Sequence, residues 1–223
     1  MYSPVYLTMT HNVSLVHVTP NAEELIVYMA RVSNPANQNN TETSDKLIRY
    51  LITHNHWSPF EMVNMCLEIN TTRAISAQIL RHRSFSFQEF SQRYSNVSVV
   101  GQTTIPSLRR QDTKNRQNST DDLSPDLIHS YHRRIALLFA ECEDLYHDMT
   151  SHGVAKECAR DVLPLASPTR LYMNGTIRSW IHYCDVRCAN GTQKEHQHIA
   201  QQARQVLVKE LPNVGVALGW SNQ

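Results

Sequence analysis

Glycine is scarce in this chain, at 6 of 223 residues. No GxGxxG run and no P-loop occurs, so a nucleotide would have to be held without a Gly-rich phosphate cradle. No apolar run approaches the ~20 residues needed to cross a bilayer. The start, MYSPVYLTMTHNVSLVHVTP, has neither a charged n-region nor a long apolar h-region. Charge bias is absent too. The 20 acidic and 21 basic residues leave a net charge of +1, which gives no bulk attraction to nucleic acid or membrane. The five cysteines (66, 142, 158, 184 and 188) lie in apolar or helical segments without disulfide-like spacing, which suits a reducing cytosol. No internal repeat or Gly/Ser linker divides the chain. These absences predict a soluble cytoplasmic protein with one domain over residues 1–223. Hydrophobic residues make up 41%, a low share for a self-sufficient monomer, so oligomer contacts are expected to supply part of the burial.

The basic residues are unevenly chosen, 16 arginines against 5 lysines. Arginine offers a planar, permanently charged fork suited to phosphate and carboxylate. The periodicities predict a strand over Val13–Val18 and a helix from Asn21 to about Val32, with Asn21 and Glu24 as a capping box. Pro35 interrupts the chain, and Asn34–Thr43 reads as a loop. Ser44 or Asp45 opens a helix with Leu47, Ile48, Leu51 and Ile52 on one face, ending near His54. Val63, Met65, Leu67 and Ile69 alternate with polar neighbours, the period of a half-buried strand. Thr72–Arg83 reads as a helix with Ile75 and Ile79 on its apolar side, and with Gln78, Arg81 and His82 together at spacings of three and four. Residues 101–122 read as a long polar, basic loop.

Ile128, Tyr131, Ile135, Leu138, Cys142, Leu145 and Met149 follow a 3-4-3-4-3-4 spacing, the strongest helix signal present, expected to pack into a core or a subunit interface. A short helix over Val154–Val162, a strand at Leu171–Met173, and helices over Thr176–Arg187 and Gln193–Leu211 complete the chain. The predicted fold class is α+β, without regular strand–helix alternation.

The chemistry concentrates in Arg81-His82-Arg83-Ser84-Phe85-Ser86-Phe87-Gln88-Glu89-Phe90-Ser91-Gln92-Arg93-Tyr94. This segment leaves a helix with three cationic or protonatable side chains in a row. It then places hydroxyls, a carboxylate and another arginine on a short irregular path. Backbone N–H groups and arginine forks together suit a phosphate. Gln78, Glu89 and Ser91 offer the mixed donors and acceptors that a flavin or pyrimidine edge needs.

In order and spacing the segment resembles the signature of the flavin-dependent thymidylate synthases: RHR, two residues, Ser, a spacer, Glu, one residue, Ser, one residue, Arg, Tyr. Gln88 stands where many members have Asn, which keeps the amide. Upstream, His56-Trp57-Ser58-Pro59-Phe60-Glu61 resembles the family's His-x-(Thr/Ser)-Pro-Phe-Glu element. Downstream, Arg160-Asp161-Val162-Leu163-Pro164-Leu165 resembles Arg-x-x-Leu-Pro. Arg178-Ser179-Trp180-Ile181-His182, Arg187 and Gln193-Lys194-Glu195 resemble the C-terminal helix pattern. The matches run from about residue 54 to 196.

The resemblance implies a mostly antiparallel sheet flanked by helices, and reductive methylation of dUMP. Methylenetetrahydrofolate would be the carbon donor, and FAD the hydride source, recharged by NADPH. It implies that Arg81, His82 and Arg83 contact FAD, with Ser58, Glu89, Arg178 and His182. Thr176 sits at a FAD-contacting position where some relatives carry Asn. His56 would lie near the flavin ring and help admit folate or nicotinamide. Gln78, Arg81, Glu89, Ser91, Arg93 and Arg160 would hold dUMP. Arg187 would sit by the uracil ring as the catalytic group, stabilising charge that develops there. No cysteine nucleophile is required. The sites of this family form between subunits of a homotetramer, with no nucleic-acid or membrane partner.

Three other readings compete. His54-Asn55-His56 carries the letters of an HNH nuclease, without an apparent ββα-metal context. Cys184, Cys188, His196 and His198 are zinc-ligand types, but in an unfamiliar spacing. Both cysteines also continue the apolar stripe of Ile177 and Ile181, so buried thiols and no metal are expected. A non-enzymatic helical interaction protein would explain the 128–149 helix but not the clustered arginine and histidine.

Overall fold

The computed structural model describes residues 11–220. The leaderless start expected at residues 1–10 lies outside them. β1 (Asn12–Val18) is followed by α1 (Ala22–Ala30) and α2 (Ser44–Thr53). A 3-10 turn over Ser58–Glu61 leads into β2 (Asn64–Thr72), which passes directly into α3 (Arg73–Ile79). β3 (Ser86–Glu89) comes next, then the two-residue strands β4 (Arg110–Gln111) and β5 (Ser119–Thr120). α4 (Pro125–Ser151) and α5 (Lys156–Ala159) precede β6 (Pro168–Thr176). α6 (Ile177–Arg187), α7 (Lys194–Glu210) and α8 (Pro212–Ala217) end the described chain.

The main sheet has the order β1-β2-β6-β3, and every pairing is antiparallel. The alternation read over 63–70 is its basis: Met65, Leu67 and Ile69 are fully buried, while Asn64, Glu68 and Asn70 are only partly covered. β2 pairs with β6 over its whole length, from Asn64↔Thr176 to Thr72↔Pro168. α6 and α7 pack on the sheet through Ile177, Trp180, Ile181, Ile199, Ala203 and Leu207, all in one core cluster with Val13, Ile26, Ile48 and Val214. The Trp180 indole N–H donates to the Met65 carbonyl at 2.9 Å, which seats α6 on β2.

β2 and β6 end alike. Each runs into a helix through a threonine whose hydroxyl caps the first turn: Thr72 accepts from Ile75 N–H at 3.4 Å, Thr176 from Ser179 N–H at 3.2 Å.

Several expectations are corrected. Asn21 forms no capping box: it adopts a left-handed φ of 52° and makes no side-chain cap bond, a conformation asparagine tolerates better than most residues. The helix expected to reach Arg83 stops at Ile79, because successive turns carry Phe85 back into the core against Trp180, ring centroids 4.8 Å apart. Part of the path read as irregular is β3, paired to β6 from Ser86↔Asn174 to Glu89↔Leu171. The 101–122 loop contains the small β4–β5 hairpin. α8 had no forecast, and Glu23 caps it by accepting from Val214 N–H at 2.9 Å.

Candidate active site

His82 and Arg187 meet where the turn after α3 touches the end of α6. The Arg187 Nε–H donates to His82 Nε2 at 2.9 Å, so that nitrogen carries no proton. Burial, then the charges of Arg187 and His182, push the His82 pKa down to about 4. His82 also packs edge-on to Tyr183, centroids 4.9 Å apart. A neutral imidazole thus fixes one nitrogen of Arg187, and the terminal nitrogens of that guanidinium make no bond among the described residues.

Arg81 and Arg83 flank His82 on the same turn and are exposed. Their guanidinium groups make no hydrogen bond or ion pair among the described residues. Beside them lies a cleft of about 440 Å³ lined by Trp57, Glu61, Ser84, Arg178, Ser179, Ile181, His182 and Asp185. Arg178 ties the Ser58–Glu61 turn to α6 by donating to Glu61 at 2.6 Å, and the Ser179 hydroxyl donates to the Ser84 carbonyl. Arg178 and His182 therefore share one cleft, with Arg81 and Arg83 just before its Ser84 in sequence. Ser58 lies beside the cleft residue Trp57 in sequence but does not line the cleft. The cleft offers Trp57 and Ile181 as apolar wall, Arg178, His182, Ser84 and Ser179 as polar donors, and the carboxylates of Glu61 and Asp185. The Thr176 hydroxyl is used locally, capping α6 and donating to Ser179 Oγ at 3.1 Å.

Glu89 lies at the other end of the sheet pair. Its Oε1 accepts from Ser76 Oγ at 2.5 Å and Thr169 Oγ1 at 3.0 Å, and pairs with Arg73 at 2.7 Å. Arg93 donates twice to Glu157 Oε2, at 3.2 and 3.0 Å, and Arg160 donates to the Glu157 carbonyl. Arg93 and Arg160 thereby meet at Glu157, and Ser91 is exposed two residues before Arg93. Gln78 donates to Gln193 Oε1 at 2.7 Å and faces His196 Nδ1 at 3.3 Å. His56 stands apart, exposed at the end of α2, its ring 5.8 Å from that of Tyr50. His54-Asn55-His56 joins α2 to the Ser58–Glu61 turn, not the ββα unit of an HNH nuclease.

The family described as thymidylate synthase complementing protein matches residues 14–213. A flavin-dependent thymidylate synthase from Synechocystis sp. is 52% identical over 198 residues, covering 89% of this chain and 90% of that protein. The chain belongs to this family. A Paramecium bursaria Chlorella virus 1 protein named "Probable flavin-dependent thymidylate synthase" is 50% identical over 200 residues, 89% of this chain and 91% of its own. Among solved structures, the UMP/dUMP methylase PolB from Streptomyces cacaoi, bound with 5-Br dUMP, is similar at a TM-score of 0.84. It has 26% identity and covers 96% of this chain and 97% of that one.

The residues packed against the predicted site residues carry no signal of that packing in the sequence. Tyr183 and His196 are buried behind Gln78 and His82. Arg109 of the basic loop pairs with Glu195 at 2.7 Å, both largely buried. Nothing local marks these contacts, because each joins elements far apart in sequence.

Proposed function

We propose that the chain is a flavin-dependent thymidylate synthase that converts dUMP to dTMP, with methylenetetrahydrofolate as carbon donor and NADPH as reductant. The proposal extends to a cytoplasmic homotetramer whose subunits share each site. The observation that carries it is the His82–Arg187 pair: a neutral histidine of the RHR turn holds the Nε of a guanidinium whose terminal nitrogens have no other partner among the described residues. Bound reduced FAD would supply the hydride. Arg81, Arg83, Arg178, His182 and Ser58 would hold it, and Glu89 would contribute its remaining oxygen. Gln78, Ser91, Arg93 and Arg160 would bind the nucleotide. Arg187 would lie against the uracil and stabilise negative charge there, since carbon 5 of uracil is a weak nucleophile. His56 would stand at the approach of folate or nicotinamide.

The test combines a spectrum with an assay. Purified protein should show oxidised-flavin absorbance, and should form dTMP from dUMP only when folate and NADPH are both present. Folded Arg81→Ala and Arg83→Ala proteins should be colourless, because a phosphate contact is lost at an exposed turn. Stoichiometric FAD in both would sink the assignment of the turn. The PolB likeness makes UMP the second substrate to try. Equal turnover of UMP and dUMP would change the nucleotide assignment to one indifferent to the 2′ position.

A further inference from the structure

We propose that His196 is a positioning residue for the nucleotide site, a neutral imidazole protonated on Nδ1 that holds the Gln78 amide in one orientation. This rests on the reading of Gln78 as a dUMP contact. The polarity of each hydrogen bond follows from one fixed end. Arg109 grips Glu195 with two nitrogens, at 2.7 and 2.9 Å. Burial raises the Glu195 pKa, but the bonds from Arg109, its own backbone N–H and Gln193 outweigh this and hold it below the usual range. Glu195 is therefore a carboxylate and can only accept.

Gln193 must then turn its Nε2 toward Glu195, at 2.9 Å, and its Oε1 toward Gln78. Gln78 must donate its Nε2 to that oxygen, at 2.7 Å, and present its own Oε1 to His196. His196 Nδ1 must donate, at 3.3 Å. Its Nε2 must accept from the Tyr183 hydroxyl, at 3.2 Å. Tyr183 fits that role, since burial pushes its phenol far above the ordinary value. Burial, then the charges of Arg187 and His82, push His196 down to about 3, so it is neutral at working pH.

Every donor in the series points toward Glu195, and the Gln78 amide cannot turn over without setting donor against donor. What Gln78 still offers a ligand is one N–H and one lone pair of set direction. The chain also ties the basic 101–122 loop, through Arg109, to the same amide.

The experiment is a double-mutant cycle on full-length, FAD-loaded enzyme, with dUMP affinity measured by calorimetry and FAD content by absorbance. Gln78→Ala should weaken dUMP binding by about tenfold, the scale of one lost hydrogen bond. His196→Leu should weaken it severalfold at normal FAD content. The double variant should be no worse than Gln78→Ala alone, because His196 acts through Gln78. His196→Asn, whose amide N–H falls near the position of Nδ1, should recover most of the loss. Should His196→Leu fail to fold, His196→Asn and Tyr183→Phe carry the comparison, with Tyr183→Phe expected to weaken dUMP binding only in the presence of Gln78. Additive effects, or wild-type affinity in a folded His196→Leu protein, would overturn the role of His196. Wild-type affinity in Gln78→Ala would instead remove Gln78 from the dUMP site.

Discussion

Arg187 carries the heaviest demand of any single side chain. Its Nε is committed to His82, so only the terminal nitrogens can face a substrate. Lysine carries its donors on one nitrogen, so it cannot hold His82 and present a separate planar fork at once. Arg187→Ala and Arg187→Lys should both lower turnover by about a hundredfold, the scale of 2–4 kcal/mol for a lost contact to developing charge. FAD content should stay near normal. Measuring methyl transfer and dUMP affinity on one FAD-loaded preparation checks this, and unchanged values in Arg187→Ala would make the residue structural. The sequence singles out Arg187 as a candidate because it sits in a recognisable spacing with Arg178 and His182. Its partner orientation is not legible there, because a histidine's tautomer is set by what the fold places beside it. His196 shows the same limit: a residue of zinc-ligand type becomes, once α7 packs behind α3, a buried imidazole between an amide and a phenol.

At the scale of elements, periodicity gave the strands and helices with apolar faces, among them β2, α2, α4, α6 and α7. It placed the ends of α2, α6 and α7 to within a residue, but not the end of α3. α3 looked longer than it is because Gln78, Arg81 and His82 have helical spacing, while the burial of Phe85 that bends the chain away is a tertiary effect. β3 has only four residues and gains its strand character from β6. That pairing forces a close approach at Gly175, where an added Cβ would lie 2.7 Å from Phe85 Cε1. Gly175→Ala should therefore displace the Phe85 ring, at a cost of about 1–3 kcal/mol. Because Phe85 closes the turn carrying Arg81, His82 and Arg83, FAD affinity should fall with stability. Denaturant unfolding and flavin retention measured together test it, and an unaltered unfolding midpoint would show that the ring has room to move.

For the whole molecule, α4 is the part least explained by one chain. Only Tyr146 of its 27 residues is buried, and Leu137 and Leu138 are 67% and 59% exposed. An apolar stripe left in water marks an association surface, in keeping with the proposed tetramer. Leu137→Asp combined with Leu138→Asp should shift the assembly toward smaller species in sedimentation and lower activity with it. An unchanged sedimentation coefficient would clear this face of the interface. Acid should also loosen the fold. His196 titrates near 6.5 when unfolded and about 3 when folded, so between those values the unfolded chain binds the extra proton. Its contribution is complete above pH 6.5 and declines as pH falls toward 3, by up to about 1.4 kcal/mol per pH unit. His196→Asn should flatten that slope between pH 7 and 5 in urea unfolding of the apoprotein, and an identical slope would assign the acid sensitivity elsewhere. The longest ladder of the sheet joins residues 64–72 to residues 168–176, and this governs how the chain must be made. On the ribosome β2 emerges long before its partner, with Met65, Leu67 and Ile69 beside an edge of unpaired backbone groups. Such non-local closure is slow and exposes the nascent chain to aggregation. The hazardous interval of synthesis lies between residues 72 and 168, and a translational stall there leaves the edge of β2 for a chaperone to cover.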